Sequence, residues 1–579
     1  MADWFANRNS TVELKGKSAV VDDELPFASR RSPLLCRRGC VASSQPLASG
    51  IGVDVLKKGG NAADAAIAVA AALCVLEPCS TGLGGDMFCL YYTAEDKAVS
   101  CINGSGFSSE KSTLDELKEK YPDGNGGVDE DEFIFSAHAV TVPGAALGYE
   151  DLLERHGSGK FTLAELLEPA AALAEEGFPV APVTSYHWRA GMAQIKRWIP
   201  EGDAVPLTVD GKEGPRPGDV MHNPDLARVL RELGRKGAAD GFYQGAAGAA
   251  IVDVVQKHGG NMTMEDLKHQ TCSFPEPCSA DYRGVTLWQV PPNGQGIAGL
   301  IALKGLAHLE ERGLVDITPE NIGKADAYHA MIEMMRLGFA DGRAHVSDAA
   351  HMSATVEQLL DDARIRERAE KLFDPRKATI AGTPVSSSCT VSFQVVDAVG
   401  NAISFVNSNF MGFGTGIVPA GCGFTLQNRG FGFTLEEGHP NVVAPRKRPY
   451  HTIIPGIITY KDTNELHSTL SNMGGNMQPQ GHLQHAVNMI AGGLDPQASI
   501  DLPRFCIADG TRGGRVQLES GIDKQEILEL EMRGHGLVDN IAGHARSVFG
   551  RAQIIKRDRN TGVLWAGSDG RADGCAIGY

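Results

Sequence analysis

Residues 384–418 read PVSSSCTVSFQVVDAVGNAISFVNSNFMGFGTGIV. The proline and the run of serines are typical of a loop. The residues that follow favour a strand over 391–397, a turn over 398–401 and a second strand over 402–408. This segment therefore predicts a hairpin, and Thr390 stands where the loop enters its first strand. By position alone, Thr390 would be an ordinary strand-entry residue.

Outward from this hairpin, the pattern predicts helices interleaved with short strands. Thr162 and Glu165 have the spacing of a capping box, which marks the start of one helix. Residues 1–38 are mixed in character, and we expect an irregular N-terminal segment there. The other predicted elements are helices at 46–58, 61–76, 162–176 and 325–340 and a buried strand at 87–92.

The charge and hydropathy of the chain exclude several classes of partner. The 579 residues carry 54 basic and 71 acidic side chains and a net charge of −17. A negative field of this size disfavours nucleic acid and anionic membrane surfaces. The N-terminal letters MADWFANRNSTVELKGK have no apolar core of a signal peptide. The longest apolar run, residues 65–76, is shorter than the roughly 20 residues of a membrane span. We expect a cytoplasmic protein.

Cysteine usage and motifs give no support for a metal or cofactor. None of the twelve cysteines forms a CxxC pair, and the spacings 36/40 and 272/278 lack zinc partners. We therefore expect free thiols, most of them in the core. No phosphate-binding loop and no dinucleotide-binding glycine motif is present. The sequence predicts no cofactor and no metal ion.

Six segments, in order along the chain, resemble the gamma-glutamyltranspeptidase family. The resemblance extends from about residue 39 to about residue 503. The segment around Thr390 is one of them. The others are GNAADAAIAVAAALCVLEPCSTGLGGDMF (60–88), TVPGAALGYEDLLERHG (141–157), PPNGQG (291–296), KRPYHTIIP (447–455) and NMGGNMQPQGHLQHAVNMI (472–490).

The resemblance implies an α+β fold, a four-layer αββα sandwich of the N-terminal-nucleophile hydrolase type. It also implies that the precursor is cut between Cys389 and Thr390. The chain would then consist of an irregular segment (1–38), a large fragment ending at residue 389 and a small fragment, 390–579. A threonine hydroxyl needs a general base, and its own freed α-amine, with a pKa of about 7.7–8.0, can serve. The uncut chain should therefore be inactive toward substrate.

The resemblance assigns further roles around the nucleophile. Gly474 and Gly475 match paired glycines whose N–H groups form an oxyanion hole, and Ser408 matches a threonine that steadies the nucleophile. The alternatives are a simple turn for the glycines and a solvent-facing strand residue for Ser408. Cys389 would lie on the departing side of the cut, so we do not expect it to act as a nucleophile.

The chain departs from the family pattern where a glutamyl head group would be held. Ser105 stands where the family has an arginine for the α-carboxylate. Gly432 stands in place of an aspartate for the α-amine, and Phe410 in place of an asparagine. The family's paired serines correspond to His451 and Thr452. We therefore list Ser105, His451 and Thr452 as substrate-binding candidates but expect weak selection of γ-glutamyl groups.

Arg429 is the candidate that compensates for these losses. Its guanidinium could hold a carboxylate bidentately from another side, although a surface or structural ion pair is an equal alternative. A small carboxylate-bearing amide such as oxamate would fit such a site. The sequences of residues 413–430 and 449–455 resemble the oxamate amidohydrolase branch of the family. The partner would be a small-molecule amide, hydrolysed or passed to an amine acceptor. An inactive binding or scaffold relative and a homo-oligomeric assembly stay open as alternatives.

Overall fold

The computed structural model describes residues 31–384, 389–508 and 514–579. Local sequence explains where many elements start and stop. The helix at residues 62–76 begins with a capping box, in which the Asn61 side chain accepts from the N–H of Asp64 and the Asp64 carboxylate accepts from the N–H of Asn61. Thr162 and Glu165 form the expected capping box as well.

The described residues form helices and strands that are numbered here in chain order. The helices are α1 Pro46–Lys57, α2 Ala62–Leu76, α3 Leu114–Lys120, α4 Glu130–Phe133, α5 Ala145–His156, α6 Leu163–Glu176, α7 Pro182–Lys196, α8 Pro224–Ala238, α9 Ala246–Lys257, α10 Met264–Lys268, α11 Gly296–Glu311, α12 Ala325–His345, α13 Val356–Leu359, α14 Asp362–Leu372, α15 Met477–Ile490, α16 Pro496–Asp501 and α17 Lys524–Met532. The strands are β1 Leu34–Cys36, β2 Cys40–Ser43, β3 Asp86–Thr93, β4 Ala98–Gly104, β5 Phe178–Pro179, β6 Val220–Met221, β7 Cys278–Tyr282, β8 Val285–Gln289, β9 Cys389–Val396, β10 Ala402–Phe410, β11 Gly456–Tyr460, β12 Leu466–Met473, β13 Phe505–Ile507, β14 Val516–Glu519, β15 Leu537–Ile541, β16 Arg551–Arg557, β17 Leu564–Ser568 and β18 Cys575–Gly578.

Two antiparallel sheets form the centre of the molecule. One has seven strands in the order β1-β17-β16-β12-β11-β8-β7, and the other has six in the order β18-β2-β9-β10-β3-β4. Apolar side chains from both sheets, among them Phe88, Val406, Ile457 and Ile555, share one buried cluster between them. The sheets therefore pack face to face.

Helices cover the outer face of each sheet. The Ala-rich helix α2 is buried along its whole length and packs on β9 and β10 of the six-stranded sheet, with α6 behind it. Helices α11 and α15 pack on the seven-stranded sheet, and α12 packs on α11. The arrangement is the αββα sandwich, so the expected α+β fold is confirmed.

The structure agrees with most of the predicted elements and corrects one. The predicted hairpin forms from β9 and β10, whose registers pair Val391 with Asn407 and Val396 with Ala402. The helix predicted at 325–340 continues to His345. Part of the expected irregular segment 1–38 is ordered, because β1 pairs with β17 at the edge of the seven-stranded sheet. Residues 1–30 lie outside the described part of the chain.

The described ranges contain neither a membrane-spanning helix nor a candidate metal cluster. No helix there is long and apolar enough to cross a membrane. No group of three or more His, Cys, Asp or Glu side chains within those ranges is placed to hold a metal ion.

Candidate active site

Thr390 lies near the start of β9, in the middle of the six-stranded sheet, and is fully buried. Its Oγ1 donates a hydrogen bond of 3.2 Å to Oγ of Ser408 on the neighbouring strand β10. The β9–β10 register shifts between Asn407 and Phe410. A β-bulge of this kind redirects side chains, and here the irregularity lies beside the Thr390–Ser408 contact.

Ser408 is the point at which several groups of the site converge. Besides the Thr390 hydroxyl, the backbone N–H of Phe410 donates to its Oγ at 2.9 Å, and Nη2 of Arg429 donates at 3.2 Å. Ser408 is buried and does not face solvent. The Thr390 hydroxyl is thus connected through one serine to a buried guanidinium.

Arg429 belongs to a single 3₁₀ turn, Arg429–Gly432, and is fully buried. Its Nη1 donates to Oγ1 of Thr452 at 2.9 Å, and its Cζ lies 4.4 Å from the centre of the Phe410 ring. Its Nε has no hydrogen-bond partner among the described residues. Burial lowers the pKa of Arg429 to about 9, and the nearby Asp86 charge opposes that shift. The guanidinium therefore keeps its positive charge at neutral pH.

Asp86, the first residue of β3, makes a buried contact with His451. His451 Nε2 lies 3.0 Å from Asp86 Oδ2, and both side chains are inaccessible to solvent. Burial and the Arg429 charge lower the pKa of His451 to about 4, although Asp86 opposes the shift. His451 is therefore neutral at pH 7, and the contact is a hydrogen bond from Nε2–H to a carboxylate rather than an ion pair.

The other oxygen of Asp86 connects three distant segments of the chain. Oδ1 accepts from the backbone N–H of Gly106 at 3.0 Å, from that of Gly144 at 3.1 Å and from Nε2 of Gln427 at 2.9 Å. These hydrogen bonds fix the Asp86 side chain relative to its three donors. Asp86 thus fixes the segments that carry Ser105, Arg429 and His451.

Ser105 is connected to His451 through Asn293. Asn293 donates to Ser105 Oγ at 3.1 Å through Nδ2, and the backbone N–H of His451 donates to the Asn293 carbonyl oxygen at 2.8 Å. Ser105 is fully buried. Its short hydroxyl is thus held by a neighbouring amide and supplies no positive charge to the site.

Gly474 and Gly475 form the turn between β12 and helix α15. Both have positive φ, 128° and 57°, and a Cβ at Gly474 would lie 2.9 Å from Cα of Gly550. The Gly474 carbonyl accepts from Met477 N–H at 3.0 Å, so it points toward the helix. Because a trans peptide places N–H opposite C=O, the Gly475 N–H points away from the helix. The first turn of α15 also favours negative charge at this position.

Gln295 connects this turn to the rest of the site. Its Nε2 donates to the Gly475 carbonyl at 2.8 Å and to the Thr452 carbonyl at 2.7 Å. One side-chain amide therefore fixes the glycine turn relative to Thr452, which in turn contacts Arg429. A continuous set of hydrogen bonds runs from Thr390 through Arg429 to the glycine turn.

Two positions where the chain departs from the family pattern have structural explanations. A Cβ at Gly432 would lie 2.5 Å from the Tyr450 carbonyl oxygen, so an aspartate has no room there. Phe410 places its ring against Arg429 and is 1% exposed. The backbone of Cys389 pairs with Phe410 in the hairpin. The Cys389 side chain lies outside the described part of the structure.

The structure brings together the residues singled out from the sequence. Thr390, Ser408, Arg429, Thr452 and the glycine turn share one hydrogen-bond network, and His451 and Ser105 border it; their catalytic and binding roles stay predictions. Asp86, Asn293, Gln295 and Gln427 were not predicted from the sequence as site residues. A sequence signal existed for three of them, since Asp86 lies in segment 60–88 and both Asn293 and Gln295 lie in segment 291–296, and these segments carry the resemblance.

Comparison with known proteins supports the resemblance to the gamma-glutamyltranspeptidase family. Residues 48–579 match the family model described as gamma-glutamyltranspeptidase. The chain is 35% identical over 548 residues to the glutathione hydrolase-like YwrD proenzyme of Bacillus subtilis, covering 93% of this chain and 98% of the relative. It is 31% identical over 547 residues to the oxamate amidohydrolase proenzyme of Klebsiella pneumoniae, with the same shares.

The fold of this chain is also similar to that of a solved structure. The crystal structure of cephalosporin acylase from Bacillus halodurans superposes with a TM-score of 0.85 at 38% identity, over 97% of this chain and 99% of that one. The chain is accordingly an enzyme of the N-terminal-nucleophile amidohydrolase and acyltransferase type. Over 532 of its 579 residues it belongs to the gamma-glutamyltranspeptidase family.

Proposed function

We propose that the chain cuts itself between Cys389 and Thr390 and then uses Thr390 to hydrolyse small amides that carry a carboxylate. The observation that carries the proposal is the buried contact of Thr390 Oγ1 with Ser408, which is itself bonded to Arg429. The term proenzyme in the names of both relatives supports the cut. Cleavage would give pieces of 389 and 190 residues.

The chemical steps follow from the groups in the site. Thr390 Oγ attacks the amide carbonyl carbon, and its proton passes to the freed α-amine of the same residue. The N–H groups of Gly474 and Gly475 would stabilise the negative charge that develops on the carbonyl oxygen. The α-amine then returns the proton to the leaving amine, and an ester on Thr390 results. Water attacks this ester, so that the carboxylic acid and the free threonine are released; an amine acceptor in place of water would give transfer.

Arg429 supports a substrate with a carboxylate near the scissile bond. It is a buried cation, and among the described residues no carboxylate lies within 4 Å of its guanidinium. A buried unpaired charge is costly, so a bound carboxylate that completes its coordination is favoured. The apolar Phe410 ring on one face and the short distance through Ser408 to Thr390 favour a small acyl group.

A γ-glutamyl amide is the second candidate substrate. It is favoured by the family and by the name of the Bacillus subtilis relative, glutathione hydrolase-like. Against it stand the residues that would hold the amino-acid head group, since Ser105 carries no charge and Gly432 has no room for a carboxylate. The names of two relatives, oxamate amidohydrolase and cephalosporin acylase, also support a substrate other than a γ-glutamyl amide.

The first experiment is intact-mass spectrometry of the purified wild-type protein beside Thr390→Ala. We expect two wild-type pieces separated between Cys389 and Thr390 and a single uncut variant chain. A wild-type chain that folds and stays whole would overturn the proposed nucleophile and favour an inactive binding protein. We also propose a cytoplasmic location, and assembly into a homo-oligomer stays an open alternative.

The second experiment compares substrates on the processed enzyme. Oxamate-like amides, a γ-glutamyl anilide and a neutral acyl amide of equal size are each assayed for kcat/KM. We expect the carboxylate-bearing small amide to give the highest value. A clear preference for the γ-glutamyl compound would exclude the small-amide assignment while leaving the nucleophile intact.

A further inference from the structure

The segment just before the proposed cut is bound along one face of helix α12. We call residues 374–384 the tether, and we call His329, Glu333, Arg336 and Arg343 of α12 the latch face. These four residues follow one another at intervals of four, three and seven positions, which places them on one side of a helix. Each of them hydrogen-bonds to the tether.

Glu333 holds the middle of the tether by its backbone. Its Oε2 accepts from the N–H groups of Thr379 and Ile380, both at 2.8 Å. Glu333 is fully buried in a helix whose neighbouring positions are apolar. A buried carboxylate costs free energy unless donors replace water, and here the donors come from the tether.

Arg336 and Arg343 hold the following residues. Arg336 Nη1 donates to the Ile380 carbonyl at 3.2 Å, and its Nη2 donates to the Gly514 carbonyl of the small fragment at 3.0 Å. Arg343 Nη1 donates to Oγ1 of Thr383 and to the carbonyl of Pro384, both at 3.1 Å. The tether is therefore held between α12 and residues that follow the cut.

Gly382 lets the tether approach the helix closely. A Cβ at this position would lie 2.0 Å from the carbonyl oxygen of Arg336. No real side chain tolerates that distance, so only glycine fits without displacing the segment. At the other end of the tether, His329 Nε2 contacts the Asp374 carbonyl at 2.9 Å, and Ala378 N–H donates to the Arg533 carbonyl at 2.6 Å.

Pro384, the last residue of the tether, lies five residues before the scissile bond. An extended chain spans at most about 3.6 Å per residue, so fixing Pro384 keeps that bond within about 18 Å of the end of the tether. Holding two reacting groups close together before the reaction lowers the entropic part of the activation free energy and so raises the reaction rate. We infer that the latch face is a positioning device for self-cleavage, presenting the Cys389–Thr390 bond to the Thr390 hydroxyl; the inference rests on the proposed cut.

The hydrogen bonds of the tether are expected to matter for self-cleavage and not for the reaction of the processed enzyme with its substrate. The substrate site of the processed enzyme is built from Thr390, Ser408, Arg429 and the glycine turn, and none of these contacts a latch residue in the bonds described above. A latch substitution should therefore slow maturation and leave the catalytic constants of the matured enzyme unchanged. A merely structural role would instead lower thermal stability without a specific delay in cutting.

The test follows cutting of the full chain after cell-free synthesis is stopped, with the uncut and cut masses quantified over time. We expect Gly382→Ala to slow cutting about tenfold or more, because it lifts the tether from α12. Gly536→Ala is its matched control, since a Cβ there meets nothing within 4 Å. Arg343→Ala, which removes an exposed side chain, should slow cutting about fivefold, and Arg366→Ala, an exposed arginine on α14, should not.

Two further measurements separate the outcomes. The fraction that does mature is assayed for kcat, which we expect to equal the wild-type value. The same substitutions in a Thr390→Ala background give the melting temperature of the uncut chain. If the wild type cuts itself, and Gly382→Ala and Arg343→Ala cut themselves at the wild-type rate, the inference that the latch face positions the scissile bond is overturned. Failure of the wild type to cut would overturn the proposed function instead.

Discussion

The hydroxyl of Ser408 lies 3.2 Å from the hydroxyl of Thr390 and accepts its hydrogen bond. The resemblance places a threonine at position 408, so a hydroxyl is the feature that matters. We expect Ser408→Ala to lower kcat by about 10–100-fold through loss of one bond to the nucleophile, and Ser408→Thr to keep most of the activity. Steady-state kinetics on the processed enzyme measures both.

Ser404 provides the control for this pair of variants. It lies on the same strand and the same face, is equally buried, and bonds to the Leu470 carbonyl rather than to the nucleophile. Ser404→Ala should lower the unfolding free energy about as much as Ser408→Ala but leave kcat near the wild-type value. Equal losses of kcat in the two variants would show that Ser408 acts only through stability.

The glycine turn gives a second prediction. Gly474→Ala would bring a Cβ within 2.9 Å of Gly550 Cα and would displace the N–H groups offered to the oxyanion. We expect a loss of about 10²–10³ in kcat with KM little changed. Gly493→Ala shares the positive φ, 64°, but its Cβ would meet nothing within 4 Å. The prediction is wrong if the two variants lose activity to the same degree.

Arg429 should affect only substrates that carry a carboxylate. Arg429→Gln removes the charge while keeping a donor toward Thr452. We expect kcat/KM for the carboxylate-bearing amide to fall at least about 100-fold, since charge-assisted bonds of this kind are worth about 1.5–3 kcal/mol each, and kcat/KM for a matched neutral amide to fall much less. Equal losses on both substrates would identify Arg429 as a structural residue.

The depressed pKa of His451 predicts a pH dependence of stability. Its folded pKa of about 4 lies below the ordinary value of about 6.5, so the unfolded chain binds the proton first as pH falls. This contribution to stability is therefore complete above about pH 6.5 and is lost as pH falls toward 4, by about 1.4 kcal/mol per unit. Urea unfolding between pH 7 and pH 5 measures the slope.

Two histidine variants separate this effect from the rest of the chain. His451→Gln should reduce the slope, because the titrating ring is gone, and should also lower stability at neutral pH through the lost bond to Asp86. His269→Gln, which removes an exposed ring, is the control variant. If His451→Gln keeps the full slope, other buried histidines, such as His467 and His482 with pKa values lowered to about 3 by burial, carry the effect.

The local sequence was sufficient to predict helices and hairpins that are marked by neighbouring residues. The β9–β10 hairpin and the capped helices α2 and α6 follow from turn residues, alternation and capping boxes. The proposed nucleophile and the sandwich fold were predicted from the resemblance, since neither Thr390 nor the pairing of distant strands has a distinctive local pattern.

What local sequence could not give is the set of contacts made between remote segments. Asp86 gathers donors from Gly106, Gly144 and Gln427, and no spacing along the chain relates these positions. The sequence also allowed Arg429 to be either a carboxylate ligand or part of a surface or structural ion pair. Arg429 is buried against Phe410, and its Nε has no hydrogen-bond partner among the described residues; this burial excludes a surface ion pair and could be seen only in three dimensions.

Both central sheets contain strands from each side of the proposed cut. In the six-stranded sheet, β2 of the large fragment lies between β18 and β9 of the small one, and in the seven-stranded sheet β1 pairs with β17. Once cut, an unfolded molecule would have to find its other half by collision. Recovery of the mature enzyme should therefore depend on protein concentration, whereas the uncut Thr390→Ala chain should refold at a rate independent of dilution.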